Sequence, residues 1–277
     1  EALGTGALAK NVQALVDNAL VGGDVYGAVY VLAADEDFND ALSVAKAAGF
    51  SAELLVLADM QTVAADIEEV QTKLIALKLQ GVFMAAIVAV PGIDELTQSW
   101  SEYATATTTL LGAISADHIC VVPQLTDTCV GVLTGRLCRG DLSVGDTPIR
   151  TKSGPVLSLG ELPTDSDGID YSTAHATALD AVRLSVPVIH NGQPGVYWAD
   201  ASLLDGPTGD YKNLEVLRVV LKGSRLVHSR MFSRLGDRTL NRSVTSTKAG
   251  EEYAMTPLKD MARTRPNSEP GEIYKPA

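Results

Sequence analysis

Cysteine is scarce in this chain of 277 residues: Cys120, Cys129 and Cys138 are the whole set. Three thiols cannot all pair, and their nine-residue spacing suits neither a zinc knuckle nor a redox C-x-x-C. Free thiols buried in a reducing compartment are expected. Long apolar runs are missing as well. The longest, Val82 to Val90, is about half of the ~20 residues that a membrane helix needs, so no membrane insertion is expected. No charged-then-apolar leader with a small-residue cleavage site is visible, and no secretory signal is read. Positive charge is in the minority, 22 Lys and Arg against 34 Asp and Glu, a net charge of −12. That balance argues against specific nucleic-acid binding.

Recognisable catalytic and cofactor patterns are also lacking. Gly4-Thr5-Gly6 is the one Gly-x-Gly near a helix start, but it precedes the first strand and has no third glycine. A dinucleotide site needs its glycines between strand and helix, where pyrophosphate meets the helix N-terminus. There is no phosphate-binding GxxxxGK[ST] loop and no GxSxG elbow. His118, His175, His190 and His228 are scattered without metal-ligand spacing. Asp165-Ser166-Asp167-Gly168-Ile169-Asp170 has its glycine two places early for a calcium loop and lacks the closing glutamate, so it reads as a solvated acidic turn. His118 and Cys120 share a strand face, but no third group orients them as a dyad. No catalytic, cofactor or metal site is assigned.

What is present is a globular chain, 46% hydrophobic, in which apolar runs alternate with helical periods. Ala7 to Leu20 is a predicted helix and Val25 to Ala33 a predicted strand. Asp35, Glu36 and Asp37 suit the N-terminus of a helix that ends at Gly49. Glu53 to Ala58 is a strand. Thr62 to Gln80 is a helix with Val63, Ile67, Val70, Leu74 and Leu77 on its apolar seam. Val82 to Val90 is a strand covered on both faces, Asp94 to Leu111 a helix, and His118 to Val122 a strand ended by Pro123. Residues 140–168 are rich in turn formers, with extended pieces around Ile149 and Val156, and read as a hairpin-like excursion. Tyr171 to Arg183 is a helix. Leu184 to His190 is a strand in which Pro187 marks an edge or bulge. The expected fold is α/β: a three-layer α/β/α core with a largely parallel or mixed sheet, residues 1–250, followed by an exposed, extended segment over 251–277.

The strongest physical signal lies near the C-terminus. After the aromatic strand around Tyr197 and Trp198, a long basic helix carries Leu214, Leu217, Leu221, His228, Met231 and Leu235 on one seam, where His228 reads as a packing residue. Arg218, Lys222 and Arg225 share another face, continued by Arg230, Arg234 and Arg238. From Lys212 to Lys248 there are nine Lys and Arg against Glu215 and Asp237, a local charge of +7, so the rest of the chain carries −19. Crowding like charges is unfavourable unless a negative partner, or an acidic patch of the same protein, faces them. Arg218, Lys222, Arg225, Arg230 and Arg234 are therefore candidate interface residues.

Gly195-Val196-Tyr197-Trp198-Ala199-Asp200, Leu203-Leu204-Asp205, Gly209-Asp210-Tyr211 and Asn213 to Val220, in this order and spacing, resemble contractile tail sheath proteins of myophages and of phage-tail-like contractile particles. Met255 to Met261 and Pro270-Gly271-Glu272-Ile273 fit the same pattern. The resemblance is carried by roughly residues 180–277. It implies a non-enzymatic subunit, without cofactors, that polymerises with itself as a helical sleeve around a tail tube and contracts to drive the tube through the host envelope. The implied partners are other sheath subunits, the tube protein, and baseplate and tail-terminator proteins. The implied location is the virion tail, with assembly in the host cytoplasm. Terminal linking arms, which the family uses to join subunits, are expected outside this stretch. The basic face would meet the tube or an adjacent subunit. A small-ligand- or nucleotide-binding α/β protein is the alternative reading.

Overall fold

The computed structural model describes residues 4–20, 27–33, 36–206, 208–263 and 271–273. Its helices are α1 (Ala7–Ala19), α2 (Phe38–Ala47), α3 (Ala64–Leu79), α4 (Trp100–Leu111), α5 (Cys129–Leu137), α6 (Thr173–Ala181), α7 (Leu214–Phe232) and α8 (Val244–Met261). Its strands are β1 (Leu54–Leu57), β2 (Ala85–Pro91), β3 (Ala116–Gln124), β4 (Pro187–Ile189), β5 (Val196–Trp198) and β6 (Leu203–Leu204).

The apolar run that starts at Val82 becomes the centre of the main sheet, and Ala85 to Val90 have no exposed surface. Its order is β1-β2-β3-β6. β1 and β3 run parallel to β2, with Leu54 opposite Ala85 and Val121 opposite Val88, while β6 closes the far side antiparallel. The sheet is thus mixed, in an α/β fold. Helix α3 lays Ile67, Val70, Leu74 and Leu77 into the core as its period requires, and Val63 stays half-exposed just before the helix. Helix α4 starts at Trp100 rather than Asp94. There Ser99 and Glu102 form a reciprocal capping box, the Glu102 carboxylate accepting from the Ser99 amide at 2.9 Å. Asp37 caps α2 in the same way, while Asp35 lies outside the described residues.

Several expectations need correction. Val25 and Tyr26 lie outside the described residues, and 27–33 form no strand: Val29, Val31 and Leu32 are exposed, Val31 by 66%. Strand propensity is expressed only against a covering face, and α2, the helix that follows, buries no residue. Pro123 does not end β3, which runs on to Gln124. Proline is tolerated there because that flank of β3 has no ladder partner beyond Val121, where Leu184 forms an isolated bridge. The predicted strand 184–190 is divided: Leu184 bridges to Val121 of the main sheet, and from Pro187 the chain pairs with β5 as a separate two-stranded edge.

Residues 140–168 are not a hairpin. Beyond a 3-10 turn at Thr151–Ser153 and one bridge from Thr164 to Asp170, they hold no paired strand. Their carbonyls are taken instead by the buried Arg136 guanidinium, which donates to Pro148, Arg150 and Gly154 at 2.7, 2.9 and 2.9 Å. Burial pulls this guanidinium down to about 10, yet it stays charged at neutral pH. The segment from 251 to Met261 is helical rather than extended, as the second half of α8. It seats Leu258 and Met261 over Gly223 of α7.

Helix α5 has no counterpart among the predicted elements. All nine of its residues are buried. Gly131 and Gly135 let it meet α1 at backbone distance. A Cβ on Gly131 would stand 2.1 Å from the Asn11 carbonyl oxygen, and one on Gly135 would stand 2.4 Å from that of Leu15. Asn11 completes the seam by accepting from the Gly131 amide at 2.8 Å and donating to the Asp127 carbonyl at 2.7 Å. Replacing Gly131 by Ala must push the helices apart, and we expect a loss of about 1–3 kcal/mol or more in denaturant unfolding. Gly250→Ala, inside α8 near only the flexible end of Leu240, is expected to be neutral or to gain up to about 1 kcal/mol.

Candidate assembly interface

Helix α7 follows its sequence pattern for half its length. Leu214, Leu217 and Leu221 are fully buried. The seam then rises to the surface. His228 lies across Gly81, where a Cβ would come within 2.7 Å of its ring, and packs edge-on to Phe83 at 5.8 Å. The helix stops at Phe232, short of the predicted length, and Leu235 is 73% exposed. The chain turns away with Gly236 at φ +78°, a conformation that glycine adopts without strain.

The five candidate cations all have partners inside the chain. Arg218, 5% exposed, donates from Nε to Glu53 Oε1 at 2.6 Å and from Nη1 to the carbonyl of Leu137, the last residue of α5, at 3.0 Å. Arg225 reaches the other Glu53 oxygen at 3.1 Å and the Phe83 carbonyl at 2.9 Å. Burial lowers its pKa, opposed by Glu53. Lys222 holds both carboxylate oxygens of Glu272 at 2.7 Å. Arg230 and Arg234 stack on the same Tyr253 ring, 4.0 and 4.2 Å from its centroid, and Arg234 also pairs with Asp237 at 3.2 Å. Arg230 Nε donates to the Tyr253 carbonyl at 2.6 Å. Pro257 sits four residues later inside α8 without an N–H, so that carbonyl lacks its helical donor and the arginine supplies one. Arg238, Arg242 and Lys248 are exposed and, among the described residues, make no side-chain ion pair or hydrogen bond. Within the basic stretch the uncommitted positive charge therefore sits on the turn between α7 and α8 and on the start of α8.

The family-like motif before α7 has a steric basis. Asp205 Oδ2 accepts from the Tyr211 amide at 2.8 Å, and its carboxylate fills the space where a side chain on Gly209 would be, 1.8 Å from the ideal Cβ. Trp198 is wholly buried and donates from Nε1 to Ser185 Oγ at 2.8 Å. Arg183, at φ +68°, donates to the carbonyls of Leu204, Asp205, Leu111 and Ile114, tying this loop to the end of α4.

Elsewhere the polar candidates are structural. His118 is buried, its Nδ1 on Asp117 at 2.6 Å and its Nε2 3.4 Å from Lys78 Nζ, so neither ring nitrogen is left for Cys120. His175 stacks on Trp100 at 4.9 Å. Asp165 is not a solvated turn residue: it is buried and accepts from the amides of Trp100, Asp167 and Ile169. Beside it a shallow cleft of about 430 Å³ is lined by Ser99, Trp100, Asp167 and His175. Burial pushes the Cys120 thiol up to about 12 and raises Cys129 and Cys138. No described group of His, Cys, Asp and Glu could hold a metal, and no described helix is long and apolar enough to cross a membrane.

Comparison with known proteins places the chain in a family. A family profile described as DUF2586, N-terminal domain, matches residues 1–202, and its companion, DUF2586, C-terminal domain, matches 210–277. The chain is 34% identical over 283 residues to a protein described as a tail sheath protein in Haemophilus phage HP1 (strain HP1c1), covering 97% of this chain and 74% of that protein. The chain belongs to the tail sheath family. Three solved structures share the fold. The anti-feeding prophage baseplate includes a chain with TM-score 0.58 and 12% identity, over 94% of this chain and 66% of that one. The anti-feeding prophage helical sheath in its contracted state gives 0.54 and 14%, over 94% and 68%. The sheath tail protein of Desulfitobacterium hafniense gives 0.51 and 11%, over 88% and 56%. The sheath chain here thus spans between about half and three quarters of these relatives. Its role is that of a structural sheath subunit.

Two outcomes follow from the geometry. Glu53→Ala leaves Arg218 buried without its carboxylate and is expected to cost about 2–4 kcal/mol in denaturant unfolding, less than a fully buried pair because Glu53 is partly exposed. In the native sheath subunit at pH 8, Cys120 and Cys129 should resist a thiol-specific reagent that labels all three cysteines once the chain is unfolded.

Proposed function

We propose that this chain forms the core of a sheath subunit that polymerises with copies of itself as a helical sleeve around a tail tube, between baseplate and tail-terminator proteins, and contracts to drive the tube through the host envelope. The 34% identity to the phage HP1 sheath protein along nearly the whole chain carries this reading. On it the protein resides in the virion tail after assembly in the host cytoplasm. Residues 1–250 act as the repeating body, and 251–277 lead toward a linking arm that adds a strand to a neighbour's sheet.

Within the basic stretch we assign two roles. Arg218 and Arg225 spend their charge on Glu53 and stiffen the body behind the contact, while Lys222 spends its charge on Glu272. Arg230 and Arg234 hold α8 through Tyr253, and so present the exposed turn with Arg238, Arg242 and Lys248 to an acidic tube or neighbouring sheath surface. A contact of this type is solvent-accessible and weakens with salt.

Charge reversal separates the roles. Arg238, Arg242 and Lys248 changed together to Glu should leave the fold intact and lower co-sedimentation of sheath with tubes, with a flatter salt dependence. Normal sleeve formation by that triple variant would remove the turn from the interface. The sheath reading itself would stand or fall on whether the unmodified protein forms sleeves.

A further inference from the structure

Glu272 is the least expected buried charge in the chain. It follows the end of α8, in a segment whose composition predicts exposure, yet its side chain is only 3% exposed. Lys222 of α7 holds both of its carboxylate oxygens at 2.7 Å, and Ser143 Oγ donates to Oε1 at 3.2 Å. Its amide donates to the Met261 carbonyl at 2.8 Å, taking up an acceptor at the end of α8. Gly271 passes so close to Ala262 that a Cβ would stand 2.6 Å from that carbonyl carbon. Gly145 approaches Val219 of α7 and the Glu272 carbonyl from the remaining side. Three separate pieces of the chain thus converge on this one residue: α7, the end of α8, and the turn that holds Ser143 and Gly145.

We propose that the Lys222–Glu272 pair is a latch that docks residues 271–273 of the C-terminal segment against α7. A carboxylate gives up strong hydration on burial and recovers it only through a close cation and further donors, so this docking is specific in position. Lys222 keeps part of its surface in water, 28% exposed, and can therefore be left without its partner at moderate cost. The latch is thus separable from the fold. As a sheath element it makes residues 271–273 move with α7 as one body; that consequence rests on the sheath reading, while the docking itself does not.

The test compares Glu272→Gln, Lys222→Met and the exchanged pair Lys222→Glu with Glu272→Lys, using Ser143→Ala as a milder probe. Two readouts apply: amide hydrogen exchange over residues 261–273, and trypsin cleavage after Arg263. Each single variant should raise exchange of the Glu272 amide and the cleavage rate by about tenfold or more, with little change in the unfolding midpoint of the body. The exchanged pair should recover at least part of the protection, and Ser143→Ala should fall between wild type and the singles. Unchanged exchange and cleavage in both single variants would overturn the proposal, as would an exchanged pair no better protected than the singles. Sleeve formation is scored separately: loss of sleeves in the singles with recovery in the exchanged pair supports the positioning role. Normal sleeves in variants with a released segment would refute that role while leaving the family reading intact.

Discussion

Arg218 is the point at which the separate parts of this molecule are joined. One guanidinium links the chain just before the edge strand β1, the last carbonyl of α5 and the N-terminal part of α7, all with the side chain nearly sealed from water. An arginine in that position loses most of its hydration, so it persists only while both the carboxylate and the carbonyl are in place. That requirement specifies geometry more than it adds net stability. It fixes how α7 lies against the sheet, and through α7 how α8 and the C-terminal segment are carried.

The same device recurs around the body. Carbonyls at the ends of elements have no intrahelical donor, and arginines supply one repeatedly: Arg183 at the end of α4, Arg136 in the turn-rich excursion, and Arg230 at the carbonyl that Pro257 leaves open. Guanidinium suits this work because its donors fan out in a rigid plane and it remains charged when buried. A large part of the basic character of the C-terminal region is therefore consumed within the subunit, and the charge left over is concentrated on one exposed turn.

Hydrophobic period made the alternating core legible. The seam of α3, the uninterrupted run of β2 and the switch at Pro187 all follow from side-chain pattern and the missing proline donor. Helix α5 was not legible, because a helix buried all round has no polar face to set its period, and Val130, Val132 and Leu133 read equally well as strand. Its sign was the pair Gly131 and Gly135, which matters only once α1 is known to lie against it. The unpaired state of residues 27–33 is likewise a matter of what fails to cover them. The candidate interface was legible as a charge imbalance, but Glu53 and Glu272 are 165 and 50 residues away from their basic partners, beyond the reach of any local pattern. Sequence resemblance identified the family where local chemistry could exclude only some alternatives.

On the proposed sheath role, an interior that does not yield when contacts change is required, and the buried arginine network meets that need. Electron cryomicroscopy of the protein mixed with a tail tube protein tests this account most directly. The account predicts a regular helical sleeve in which Arg218 and Arg225 remain on Glu53 inside each subunit while the α7–α8 turn faces an acidic surface. Discrete monomers or small rings under every condition, or sleeves whose α7–α8 turn faces only solvent, would contradict it.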